Sequence, residues 1–140
     1  MRSVVDLVES LKDRYGGVLS FKKICEEEGV IAAKAKLEDG LNGFSISSNA
    51  RRVIVVNERL SYDERRDWAW HELYHILRGT AGQDRRASKR EERAADLFAA
   101  LCKIPVVREG DTVDMIVERY SVSRRLACIR IDFELKRSAA

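Results

Sequence analysis

The chain has 140 residues, 45% of them hydrophobic and 35% charged, with a formal net charge of +3. That length suits one domain whose core needs no disulfide or metal to hold it, and the balance excludes a disordered chain. A charge this small and this mixed in sign is too little to imply nucleic-acid binding on its own.

Val4, Leu7, Val8 and Leu11 recur at helical spacing, and Gly16-Gly17 ends that helix. Asp6, Glu9, Lys12 and Asp13 interrupt its apolar run, so neither a signal peptide nor a membrane span is expected. A second helix is expected from Ser20 to Glu28, with Phe21, Ile24 and Cys25 on its buried face and Gly29 as its stop. Val30 to Leu37 then alternates as a strand does. Asp39-Gly40 and Asn42-Gly43 are turn signals, and Phe44 to Ser47 alternates apolar and polar as a half-buried strand. Val53 to Val56 is β-branched throughout and reads as a buried strand.

From there the pattern is helical. Ser61 to Glu64 and Ser88 to Glu91 are both capping-box patterns. The first opens a helix that Gly79 ends, and the second opens one that runs toward Lys103, before Pro105. Two more helices are expected over Asp111 to Tyr120 and from Ser123 to about Lys136. Segregated strands and helices make this an α+β chain: a short mixed or antiparallel sheet and several helices. With one proline and no repeat, residues 1–140 are expected to form one domain, in which 111–137 is a C-terminal helical subregion. Cys25, Cys102 and Cys128 are odd in number, and each lies in an apolar-periodic stretch. They are expected as buried small hydrophobes of a protein in the reducing cytoplasm.

Both histidines of the chain lie in His71-Glu72-Leu73-Tyr74-His75. Residues i and i+4 share a helix face, so both imidazoles can reach one ion, while Glu72 projects toward a water beside it. A catalytic zinc takes three protein ligands. Ala81 occupies the position where one solution has a third histidine, so the third ligand is sought on the next helix, at Glu92 or Glu91. Glu92 shares a face with Ala95, Asp96 and Ala99, and small residues there let the two helices approach closely. Glu91 reads as the capping residue, and Asp96 as a partner that fixes a histidine tautomer.

In this order, Val53 to Asn57, His71 to His75, and Glu92-Arg93-Ala94-Ala95-Asp96-Leu97-Phe98-Ala99 through Pro105 resemble the ImmA/IrrE family of metallo-endopeptidases. Asn42-Gly43-Phe44, Tyr120 to Ser123 and Arg130 add to the resemblance, which spans roughly residues 20 to 132. Asp96 stands where the family has asparagine. The resemblance implies a zincin-like core, zinc ligation by His71, His75 and Glu92, and Glu72 as general base. Zinc fits these donors, and Mn2+ or Fe2+ fits them as well. It further implies a regulatory protein as substrate, such as a separately encoded helix-turn-helix repressor of a phage, mobile element or stress response.

Tyr62, Tyr74 and Tyr120 are candidate oxyanion donors. Phe44 to Ile46 or Val53 to Val56 is a candidate edge for an added substrate strand. The competing reading is a regulatory protein without proteolytic activity that binds DNA or senses a metal. Its features are Arg124, Arg125 and Arg130 on a C-terminal helix-turn-helix-like pair, placed to meet phosphates. Against it, Val113, Ile116, Val117, Leu126, Ile129 and Phe133 have the spacing of a pair packed on the core. The basic run Arg85, Arg86, Lys89, Arg90 and Arg93 reads as a solvated loop and helix start.

Overall fold

The computed structural model describes residues 3–81 and 87–139. Along the chain lie α1 (Val4–Tyr15), α2 (Phe21–Glu28), β1 (Val30–Ala35), β2 (Gly43–Ser47), β3 (Arg52–Asn57), α3 (Tyr62–Arg78), α4 (Lys89–Lys103), α5 (Val113–Tyr120) and α6 (Arg124–Ala139). The helix starts follow from local chemistry. Ser3, Ser20, Ser61, Ser88 and Thr112 each accept a hydrogen bond from the backbone N–H three residues on, which satisfies an otherwise orphaned donor. Ser123 does the same for Leu126 at the start of α6. The expected capping box is complete at Ser88. At Ser61 only half of it forms, because the Glu64 carboxylate takes the serine hydroxyl instead of the backbone N–H.

The sheet is mixed, in the order β1-β3-β2, with β1 parallel and β2 antiparallel to β3. Val53 to Val56 is therefore the central strand. Both its edges are paired, and it is not available to an added strand. That part of the sequence reading is corrected, and β2 keeps the role of edge. The alternation in β2 is also inverted relative to expectation: Ser45 is buried while Phe44 and Ile46 are only partly so. Ser45 pairs with Ile54, which is fully buried, and so faces the helices. Gly43 is obligatory for a different reason. A Cβ there would lie 2.8 Å from the Val55 carbonyl oxygen.

Helix α3 lies against β2 and β3, and α4 packs on α3. Their seam is filled by Leu73, Phe98, Ala95 and Ala99, each at most 1% exposed, so the small residues do allow the close approach. Helix α4 also carries α1 and α6, and α5 rests on α6. Ile116 and Leu126 are buried, and Val113, Val117 and Ile129 pack around them, as expected of a pair docked on the core, whereas Phe133 is only partly buried and lies outside that cluster, beside Arg130. Its arginines are engaged within the chain. Arg124 pairs with Asp114 and Arg125 with Asp96 at 2.9 Å. Buried Arg130 donates to the Ile104 carbonyl at 2.7 Å. Cys25 and Cys102 are buried, but Cys128 is exposed on α6, a correction to the expected burial of all three. Among the described residues no helix is long and apolar enough to cross a membrane.

One buried ion pair fixes these layers. The Lys103 ammonium lies 2.6 Å from Asp67, whose side chain is 1% exposed, and the other Asp67 oxygen accepts from Ser123 N–H at 3.0 Å. Removing the cation strands a buried carboxylate. Lys103→Met is therefore expected to lower unfolding free energy by about 3 kcal/mol, read from urea denaturation. A loss below about 1 kcal/mol, the range of an exposed pair, counts against this clamp.

Candidate metal centre

The capped helix α3 runs unbroken through the histidine motif, which puts His71 and His75 on one face with ring centroids 5.1 Å apart. Both are buried. Each imidazole is oriented through Nδ1. That of His71 donates to Asp96 Oδ1 at 2.8 Å. That of His75 donates to Thr80 Oγ1 at 2.8 Å, while the same hydroxyl donates to the His75 carbonyl at 3.4 Å. Thr80 reaches this place because Gly79 ends α3 in the left-handed conformation, φ 71°, and turns the chain back over the last helical turn.

The capping box decides between the two glutamates. The Glu91 carboxylate accepts from Ser88 N–H at 3.0 Å, so Glu91 closes the helix start. Glu92 then points across the seam, its oxygens 3.2 Å from His71 Nε2 and 2.7 Å from His75 Nε2. One donor atom from each of His71, His75 and Glu92 lies within 4.8 Å of the others, a set that could hold a metal ion.

The donor chemistry fits that reading. An acceptor-only carboxylate at Asp96 and an already donating hydroxyl at Thr80 both require Nδ1–H, which leaves lone pairs on both Nε2 atoms in neutral rings. Lone pairs of nitrogen and carboxylate then face one another, which is stable only with a cation between them. Without one, a proton serves on one side only. Burial opposes charge on His71, but hydrogen bonds to Asp96 and Glu92 and the charges of Glu72 and Asp96 prevail and raise its pKa to about 9. His75 moves the other way, lowered by burial and by charged His71. Its Nε2 has no hydrogen-bond partner although a Glu92 oxygen lies close by. The distance suits a bond and the direction does not. The hydrogen bond from His71 holds the Glu92 carboxyl below its usual range.

Glu72 is buried beside the pair, and burial raises its pKa against the opposing charge of His71 and a hydrogen bond from Ser45. A cavity of about 940 Å³ opens here, walled by Gly43 and Ser45 of β2, by Glu72 and His75, and by Glu92 and Asp96 of α4. None of the three candidate tyrosines lines it. Tyr74 is buried against Phe98. Tyr62 is exposed in a separate hollow beside Trp70. Tyr120 donates to the Val106 carbonyl at 3.0 Å.

The residues expected from sequence, His71, Glu72, His75, Glu92 and Asp96, all meet at this place. Sequence reasoning missed three more. Thr80 had a local signal, a hydroxyl residue directly after the glycine that ends the motif helix. Ser45 had a misleading one, because its strand alternation argued for the opposite face. Arg125 had none: it reaches Asp96 from α6 and lies 4.6 Å over the Trp68 ring. Burial alone would raise the Asp96 pKa, but hydrogen bonds to His71 and Arg125 hold it low.

A family model described as Peptidase_M78, the IrrE N-terminal-like domain, matches residues 25–132. No curated protein matches the chain.

Loss of an orienting partner typically weakens a metal site about 10- to 100-fold. Thr80→Val and Asp96→Ala are expected to show that loss in zinc competition against a chromophoric chelator, and Asp96→Asn, which keeps an acceptor, much less. Affinity unchanged in Thr80→Val rules out its orienting role. A pH effect follows for the metal-free protein. The His71 pKa rises on folding from 6.5 to about 9, so its protonation stabilises the fold fully below pH 6.5, and that contribution is lost as pH climbs toward 9. The melting temperature should fall across this window in the metal-free protein and stay flatter in His71→Gln. Equal slopes would refute the assignment.

Proposed function

The chain belongs to the Peptidase_M78 family, that of the IrrE N-terminal-like domain, and on that premise we propose that it is a zinc-dependent endopeptidase acting on a regulatory protein. The observation that carries this is the convergence of His71, His75 and Glu92 on one point, with Glu72 beside them in a cavity bordered by an edge strand.

In this reading His71, His75 and Glu92 hold the ion, and Asp96 and Thr80 keep the two Nε2 atoms turned toward it. When bound, the ion supplies Lewis acidity toward the scissile carbonyl and toward water. Two imidazoles and one carboxylate suit zinc, and manganese or iron shares the donor set. Glu72 takes the proton of the attacking water and delivers it to the amine nitrogen as the C–N bond breaks. Its burial and raised pKa suit a base that must let go of that proton again.

The edge of β2 supports an extended substrate. Asn57 N–H donates to the Asn42 carbonyl, and Ser48 N–H donates to the Arg51 carbonyl. In an antiparallel ladder of this register the even-numbered residues bond to β3, and the backbone groups of Gly43, Ser45 and Ser47 face outward. A substrate strand paired there passes beside Glu72. The choice of a helix-turn-helix repressor as substrate, and of the cytoplasm as the place, rests on the resemblance to ImmA/IrrE peptidases. The three free cysteines are in keeping with a reducing compartment.

The test pairs metal content with cleavage. Wild type is expected to hold about one zinc per chain, as a three-ligand site does, and to cut internally quenched peptides. Glu92→Ala should lose the metal. Glu72→Gln should keep it while kcat falls by about 10²- to 10⁴-fold. Failure to take up any metal from zinc-supplemented buffer sinks the proposal, and full activity in Glu72→Gln removes the assigned base.

A further inference from the structure

Among the described residues, two cations in the wall of the cavity have no counter-ion. Lys89 and Arg93 line it together with Glu92 and Asp96, all four on one face of α4. Neither side chain makes an ion pair or hydrogen bond with another described residue. The described acidic groups near them are already committed. Glu91 closes the capping box, Glu92 faces the two histidines, and Asp96 joins His71 to Arg125. Lys89 and Arg93 are i and i+4 on the helix, so they repel each other. They also stand in the first two turns, where the helix dipole disfavours positive charge. Arg85 and Arg86 of the same basic run lie outside the described residues.

The charges of the ion-binding set balance without this pair. A divalent ion would offset Glu72 and Glu92, and Arg125 offsets Asp96, so among the described residues Lys89 and Arg93 leave the lining positive. Across the cavity run the outward backbone groups of β2. A peptide paired there directs alternate side chains toward the face of the sheet that Ser45 shares with α3. We propose that Lys89 and Arg93 form a carboxylate-binding subsite, so that the enzyme selects substrates carrying an acidic group within about two residues of the cleaved bond. This rests on the peptidase reading and adds to it a substrate class.

The full chain, loaded with zinc, is offered short internally quenched peptides that differ only in Glu, Gln or Lys at one position near the cut. Glu peptides are expected to exceed Gln peptides by roughly fivefold in kcat/KM per exposed cation, through KM. Lys89→Glu with Arg93→Glu should reverse the preference toward Lys, and the neutral pair Lys89→Gln with Arg93→Gln should abolish it. Both positions are exposed, and zinc content with the urea midpoint verifies folding. Matched peptides with a free or an amidated C-terminus separate the two sources of a carboxylate. Dependence on the internal Glu assigns a side chain, and dependence on the free terminus assigns the chain end. Indifference to both, or a preference that survives the charge reversal, overturns the proposal. If no peptide is cut, the peptidase reading fails by itself, and binding then decides the subsite. A fluorescein-labelled Glu peptide should bind zinc-loaded Glu72→Gln protein more tightly than its Gln counterpart, and equal affinities overturn it.

Discussion

Where α3 meets α4, two imidazole nitrogens and a carboxylate confront one another with lone pairs toward a common point. This arrangement does not stabilise itself. The second nitrogen of each ring is held by an oxygen acceptor, Asp96 for His71 and Thr80 for His75. Those acceptors turn the lone pairs inward whether or not a cation is there. Protonation of His71 satisfies one side, and the price falls on His75, whose Nε2 is buried without a directed partner. Packing along the seam holds these groups together nonetheless.

The closing force is ordinary packing. Leu73, Phe98, Ala95 and Ala99 bring the helix axes near enough for Glu92 to span the gap. Larger side chains at the two alanines would separate the helices and move Glu92 out of reach, so a packing requirement and a chemical one coincide in the same residues. The sheet contributes differently. It supplies the hydroxyl of Ser45 to Glu72 and, through the hydrogen-bonding parity of β2, outward backbone groups beside that carboxylate.

The C-terminal pair of helices belongs to this seam. Arg125 reaches from α6 to Asp96 and covers Trp68, while Lys103, Asp67 and Ser123 join α4, α3 and the start of α6. The resemblance to ImmA/IrrE peptidases leads one to expect asparagine where this chain has Asp96. A neutral amide there needs no cation, whereas a carboxylate that must keep its charge beside a buried histidine benefits from Arg125. The arginines that suggest phosphate contacts in the sequence are thereby turned to internal use.

Much of this was legible in the residues. Serine caps, glycine stops and apolar periods placed the helices within a few residues, because caps and stops act through their own backbone neighbours. The i, i+4 histidines and the flanking glutamate followed from helix geometry, and the Ser88 pattern favoured Glu92 over Glu91 but left the choice to the structure. What the sequence determined was local: element type, helix ends, and which side chains share a face. Tertiary structure decided the rest. It made β3 central and β2 the edge, turned Ser45 inward against its own alternation, exposed Cys128 and brought Arg125 to Asp96. Strand order, register and long-range ion pairs depend on how complete surfaces fit together, and no single segment carries that information.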